Sequence, residues 1–332
     1  MLEQMTHRER LLATLVGKET DRPPVSMWRH YFSKEQSAGL LAEAMLAHQR
    51  RNDWDFMKVN PRASYHAEPW GLKTRYSGDR VPETESVPVK SARDWAKIDR
   101  VRMTHPVFKD QLRTLELIAA GLKGQVPFLV TVFTPVSIAA RLTASDDAFM
   151  SQFRGNPKLV TPALEAITET FVEFSKAAMD RGASGLFYAT TGFATTDRMP
   201  RADYRKLVRP WDLKLLGRLP AHEFTLLHVC RDNNMLSEFA DYPVHAVNWD
   251  VLTAGNLKLA EGQAALKGKA VVGGLGRGGH LMEASPAQIY GSVFGIKSAM
   301  GRKGYMIGPA CTYDPAVPEN NIAAVRMGAE AV

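Results

Sequence analysis

A chain of 332 residues, 45% of them hydrophobic and 23% charged, can bury a large core, and its composition is neither disordered nor fibrous. The net charge of +7 comes from scattered basic residues (Arg8, Arg10, Arg50, Arg51, Lys123, Arg302, Lys303), which argues against a nucleic-acid footprint and leaves an anionic small substrate or acidic partner compatible. Two cysteines exclude a disulfide framework, the N-terminus lacks the apolar run of a signal peptide, and no apolar stretch approaches the ~20 residues of a membrane span. A soluble, cytoplasmic protein is expected.

Thr6-His7-Arg8-Glu9 reads as a capping box that opens a first helix, with Leu11, Leu12, Leu15 and Val16 as its apolar stripe and Gly17 as its stop. Pro23-Pro24 force an extended entry into a first strand, Val25–Trp28, followed by Arg29 and His30. Ser33 with Gln36 suggests the cap of a helix running to about Arg51. A second strand, Asp55–Asn60, is stopped by Pro61 and leads into a polar cluster of Asn60, Arg62, Tyr65 and His66. The turn-rich segment from Trp70 to about Val101 suits a hairpin or excursion before a helix around Lys109–Leu122.

Pro127–Phe133 is a β-branched and aromatic third strand. A helical stretch follows, clearest over Lys158–Arg181, where Leu164, Ile167, Phe171, Phe174 and Ala178 recur at helical spacing. Leu186–Thr191, carrying Tyr188, is the fourth strand, and Phe224–Cys230 the fifth, with Tyr204–Leu219 helical between them. Met235–Ala240 is a short helix. Ala246–Asp250 and Lys269–Gly274 are the sixth and seventh strands, separated by a helix over Leu257–Leu266. Ser285-Pro286 starts another helix, Tyr305–Cys311 is the eighth strand, and Pro318-Glu319 open the last helix. About eight β-then-α units without an intervening linker predict one domain over 1–332: a (β/α)₈ barrel with an N-terminal helix and an excursion after the second strand. Chemistry in such a barrel sits at the carboxyl ends of the strands. Arg29, Asn60, Arg62, Tyr188, His228, Cys230, Asp250 and Cys311 are expected there.

The most specific constellation is His228-x-Cys230 with Cys311. Residues i and i+2 of a strand face the same side, so an imidazole and a thiolate can reach one point, and Cys311 could join them across the mouth. These are zinc-type ligands, and three of them leave the open position typical of catalytic zinc, where a substrate thiol can be held as a thiolate. The alternatives are a single Cys230–Cys311 bridge, or two buried cysteines acting as small hydrophobes. Arg29, His30, Asn60 and Arg62 supply groups for an anionic substrate, or else pair with loop acids such as Glu68. Asp250 could be a fourth ligand, a residue orienting His228, a general base, or simply a helix cap. Gly274-Leu275-Gly276-Arg277-Gly278-Gly279 matches G-x-G-x-x-G, but no helix opens within it, so a plain or anion-binding loop is expected and not a dinucleotide site.

Arg8-Glu9-Arg10-Leu11-Leu12-Ala13, Asp21-Arg22-Pro23-Pro24-Val25, Asn248-Trp249-Asp250 and Val272-Gly273-Gly274-Leu275 occur in an order that resembles the uroporphyrinogen decarboxylase superfamily over nearly the whole chain. The resemblance implies a (β/α)₈ barrel. It also implies one of two chemistries: metal-free decarboxylation of a tetrapyrrole, or zinc-dependent methyl transfer between a corrinoid and a thiol. The chain departs from the decarboxylase pattern, since only Arg29 has a clear counterpart in the first segment and Asn60-Pro61-Arg62 stands where an aspartate is expected. His228-x-Cys230 and Cys311 resemble instead the H-x-C…C zinc motif of the methylcobamide:coenzyme M methyltransferases. That branch implies a methyltransferase with Zn²⁺ on His228, Cys230 and Cys311, a corrinoid as methyl donor on a separate partner protein, and a small thiol acceptor. Asp250 and Tyr188 are the expected catalytic groups, Arg29, His30, Asn60 and Arg62 the expected substrate-binding groups, and a homodimer is open. The alternative is a decarboxylase or lyase acting on a carboxylated substrate through Arg29, Tyr188 and Asp250.

Overall fold

The structure, a computed structural model, describes residues 3–331. Met1, Leu2 and Val332, the ends of the expected domain, lie outside the described residues. Seven parallel strands form one curled sheet in chain order: β1 (Met57–Val59), β4 (Phe128–Phe133), β5 (Gly185–Ala189), β6 (Phe224–Val229), β7 (Ala246–Trp249), β8 (Ala270–Leu275) and β9 (Tyr305–Pro309). The expected excursion is an antiparallel hairpin of β2 (Lys73–Arg75) and β3 (Glu83–Ser86).

The segment expected as the first strand differs in form. Val25 pairs with Ile307 of β9 as an isolated parallel bridge. Ser26 N–H donates to the Ile307 carbonyl at 3.1 Å, and Ile307 N–H donates to the Pro24 carbonyl at 2.8 Å. On its other side, the Val25 carbonyl accepts from Asp55 N–H at 2.9 Å, just before β1. The segment therefore lies between the two edge strands and bonds to both. Pro23 and Pro24 have no N–H to donate, which keeps it from extending into a regular ladder.

Alternation along the strands divides two cores. Phe187, Phe224, Leu226, Ala246, Val272 and Met306 pack inside the curl with Trp28 and Phe56. Leu186, Tyr188, Leu227, Val229, Val247 and Val271 face the helices. Inner and outer residues alternate at period two, so the direction of every side chain at a strand end is fixed by the residues before it.

Most helices begin where the sequence signals them. Thr6 and Glu9 cap His7–Leu15 reciprocally, with Glu9 N–H on Thr6 Oγ1 at 3.3 Å and Thr6 N–H on Glu9 Oε2 at 2.9 Å. Ser285 caps Pro286–Met300 in the same way. The helix expected from Ser33 is instead Ala38–Asn52, capped by Ser37. Glu35 is drawn inward by His30, so the chain turns once more before the helix starts. The helical stretch after β4 is three helices, Pro135–Arg141, Asp146–Gly155 and Pro157–Met179. Between Arg201 and Leu216 the helix widens to a π-turn at Tyr204–Val208, which ends two residues before Pro210. Proline cannot donate to the carbonyl four residues back and its ring crowds it, so the wider turn relieves the clash.

Candidate metal centre

His228 continues the inward row of Phe224 and Leu226 at the end of β6, and Cys230 stands one residue past the strand. The Cys230 N–H is held by Thr190 Oγ1 at 3.1 Å, and Thr190 N–H in turn donates to the His228 carbonyl at 3.0 Å. Arg231 then adopts φ +80° and turns the chain away from the mouth. Cys311 follows β9, the third strand along from β6, and reaches the same point across the curl. One ligand atom from each of His228, Cys230 and Cys311 lies within 4.8 Å of the others. In tetrahedral zinc sites with bonds of about 2.0–2.3 Å, ligand atoms stand roughly 3.5–3.8 Å apart, so a modest contraction completes the set.

The imidazole is prepared for that role by a residue the sequence reading did not single out. Asn248 lies opposite His228 in the register of β6 and β7. Its amide nitrogen donates to the carbonyls of Val272 at 2.9 Å and Pro309 at 3.0 Å, which uses both amide hydrogens. Its oxygen, 2.6 Å from His228 Nδ1, must therefore accept, and Nδ1 carries the proton. Nε2 of the neutral ring then keeps its lone pair. It is buried and has no hydrogen-bond partner among the described residues. The ring is further fixed by near-parallel stacking on Phe187, with centroids 5.6 Å apart.

The two thiols act as a pair. Cys230, with His228 and Lys58 nearby, holds the Cys311 thiol well below its usual range, while Cys311 and burial push the Cys230 thiol up. Two half-buried soft sulfurs beside a buried imidazole nitrogen are a donor set suited to zinc. Among the described residues no fourth His, Cys, Asp or Glu joins this group. Asp250 lines the adjoining cavity, but its Oδ1 accepts from Leu252 N–H at 2.9 Å and Thr253 N–H at 3.3 Å, closing the turn after β7.

Two cavities meet at the three ligands. One, of about 340 Å³, is polar and is lined by Asp197, Arg198, Asp232 and Asp250. The other, of about 550 Å³, is lined by Phe32, Lys58, Phe133, Phe187 and Thr312. His228, Cys230, Cys311 and Arg277 line both. Arg277 sits on the loop after β8, just beyond Gly274 near the strand's end, which takes φ +103° and where an added Cβ would fall 2.5 Å from Ile296 Cδ1. The loop borders the site, but a short helix, His280–Glu283, opens at its last glycine, Gly279, where the sequence reading places no helix before Ser285-Pro286.

Several other expected site residues are engaged elsewhere. Tyr188 belongs to the outer row of β5, the row opposite Phe187 and Ala189, and its hydroxyl donates to buried Asp212 at 3.2 Å. It does not reach the mouth, because its strand alternation turns it toward the helices. Arg29 donates to the Pro315 carbonyl at 3.0 Å and to Asp79 at 3.2 Å. Arg62 forms a two-point pair with Glu68 at 2.6 and 2.8 Å, the loop-acid alternative. His30 does line the larger cavity, held to Glu35 at 2.5 Å and stacked on Phe32. Asn60 is fully buried and donates to Thr312 Oγ1 at 3.3 Å. Lys58, two residues before it in β1, was missed. A lone lysine within an apolar strand was the available signal.

A curled parallel sheet with its reactive groups gathered where the strands end is the architecture of an α/β enzyme. The uroporphyrinogen decarboxylase (URO-D) family model matches residues 6–330, and the chain belongs to that family. Among solved structures, it resembles a methyltransferase from Methanosarcina mazei, with TM-score 0.83 and 19% identity over 98% of both chains. It also resembles a B12-independent methionine synthase from Shewanella sp. W3-18-1 solved with selenomethionine, with TM-score 0.61 and 11% identity over 93% of this chain and 96% of that one. Comparison with curated protein sequences finds no match. Among the described residues, no helix is long and apolar enough to cross a membrane.

Proposed function

We propose that this chain is a zinc-dependent methyltransferase that moves a methyl group from a corrinoid or related donor to a metal-bound thiol. The observation that carries the reading is His228 Nε2, buried, unpaired and set beside two cysteine sulfurs. His228, Cys230 and Cys311 would hold the ion. Zinc so held lowers the pKa of a thiol at its fourth position and keeps it as a thiolate at neutral pH. Asn248 and Phe187 orient the imidazole, and Thr190 fixes the backbone at Cys230. Transfer requires an acceptor and a methyl carrier to reach one centre, and the two cavities sharing the three ligands give two approaches. The similarity in fold to a methyltransferase is in keeping with this assignment.

In the same reading, Val25 and its neighbours complete an eight-stranded (β/α)₈ barrel as one domain over 1–332, the donor is a corrinoid brought by a partner protein, and the chain works in the cytoplasm. The decarboxylase or lyase alternative draws on Arg29, Tyr188 and Asp250, whose hydrogen bonds are taken up by Asp79, Asp212 and a backbone turn. Purified protein should contain about one zinc per chain. Cys230→Ser should lose both the metal and thiol methylation by methylcobalamin. Metal-free wild-type protein with an intact fold would overturn the assignment.

A further inference from the structure

Lys58 is 5% exposed and stands at the inner wall of the larger cavity. Its ammonium lies 4.6 Å from the centroid of the Phe187 ring and 3.4 Å from Thr312 Oγ1, its one hydrogen-bond acceptor among the described residues. No carboxylate forms an ion pair with it among the described residues. Burial disfavours its charge, and two groups favour it: Cys311 of the donor set first, then Glu35, which already accepts from His30 Nδ1 at 2.5 Å, Ala63 N–H at 2.9 Å and Tyr31 N–H at 3.2 Å. A lysine ammonium has three donors, and a buried cation is costly unless it is paired.

The cavity around it is shaped for an apolar body. Phe32, Phe133, Phe187, Ala189 and Pro61 line it, and at about 550 Å³ it has the size of a small-molecule site. Aromatic walls favour a flat ring that can stack or meet them edge-on. Lys58 is the buried cation of the lining, Arg277 being exposed on the loop after β8, and one buried ammonium matches a singly charged group better than a phosphate dianion. Cys230, Cys311 and His228 line the same cavity, so a molecule anchored on Lys58 has its other end beside the donor set.

We propose that the larger cavity is an aryl carboxylate subsite in which Lys58 binds the carboxylate and the phenylalanine walls hold the ring. This deepens the function proposed above, on which it rests for chemistry: the acceptor would be a thiol carried on an aryl carboxylate. Lys58 is then a specificity-determining residue, and Phe187 serves both sites, since it packs on the His228 imidazole and under the Lys58 ammonium.

The test begins with wild-type, zinc-loaded protein and two probes without sulfur. By titration calorimetry, benzoate should bind at least about tenfold more tightly than benzyl alcohol, the gain expected of a charge-assisted hydrogen bond. Lys58→Met and Lys58→Gln should each abolish that preference with zinc content unchanged. Equal binding of the two probes by wild type overturns the proposal, as does a preference that survives both substitutions. Loss of zinc in the variants with benzoate binding intact would assign Lys58 to the charge of the metal centre, and also overturns it. In parallel, cobalt(II)-substituted protein is titrated with ethanethiol and meta-mercaptobenzoate, reading the sulfur-to-metal charge-transfer band. Both thiols should raise the band, the carboxylated one at lower concentration. If neither thiol perturbs cobalt while the benzoate preference stands, the methyltransferase reading fails and the subsite survives. If both thiols bind equally and benzoate shows no preference, the subsite alone fails.

Discussion

Both amide hydrogens of Asn248 are committed to carbonyls on β8 and β9, so its oxygen is left facing His228 alone. One side chain thereby sets the tautomer of the imidazole and leaves Nε2 as the nitrogen with a free lone pair. Replacing Asn248 with leucine should weaken zinc binding by about 10–100-fold, the usual effect of losing a group that orients a ligand. Competition against a chromophoric chelator would measure it. The two abandoned carbonyls should also lower stability by about 1–3 kcal/mol, so the comparison is made at a temperature where circular dichroism shows both proteins folded. The same residue explains what the sequence withheld. Asn248 was visible in the Asn248-Trp249-Asp250 motif, but its role depends on the pairing of β6 with β7, and register between strands far apart in sequence is not written in either one.

At the scale of elements, Asp55 ties three pieces of chain together ahead of β1. It is fully buried and accepts from Arg10 at 2.6 Å in the first helix, from Arg22 at 2.5 Å, and from Val25 N–H at 2.8 Å in the bridging segment. His7 Nδ1 stands 3.0 Å away. Burial alone would raise its pKa, but hydrogen bonds from His7 and Arg22 and the charges of Arg22 and Arg10 outweigh it and hold the carboxyl well below the usual range. Its stabilising contribution is present above the unfolded-state pKa near 4 and fades as pH falls further. Asp55→Ala should cost about 3–5 kcal/mol in urea unfolding at pH 7, because it leaves buried guanidinium groups under-paired. The alternation of strands and helices was legible because it is carried by local patterns: caps at Thr6 and Ser285, the apolar stripe of Leu164, Ile167 and Phe171, and β-branched runs such as Phe128–Phe133. The hairpin of β2 and β3 falls within the turn-rich segment after Trp70, where a hairpin or excursion is expected. Less legible were features set by tertiary competition. Ser33 lost the cap to Ser37 because Glu35 is held inward, and Tyr188 was assigned to the mouth although the period of its strand sends it outward.

Across the whole molecule, charge is handled differently on the two sides of the sheet. Outside it, Asp212 is fully buried and accepts from Tyr188, Tyr204 and Tyr242 at 3.1–3.2 Å. Burial raises its pKa to about 7, although the three tyrosines and Arg209 pull it down. Between its unfolded value and about 7 the native state holds a proton that the unfolded chain has lost, so this group makes stability fall as pH rises through that window. Asp212→Asn should flatten the dependence between about pH 4 and 7, seen as a urea midpoint that no longer declines, against a wild-type decline on the order of a few kcal/mol. Inside the sheet, two of the three donor residues sit beside β6, within continuous pairing, whereas Cys311 follows β9, whose far side meets only the short Pro24–Ser26 bridge. The bridge at Val25 is thus a seam, and the donor set spans from the woven part of the sheet to its edge. On the proposed function, an ion held between them would act as a rivet beside that seam: holding the metal and keeping the curl closed would be one mechanical act, and slack in either would be felt by the other.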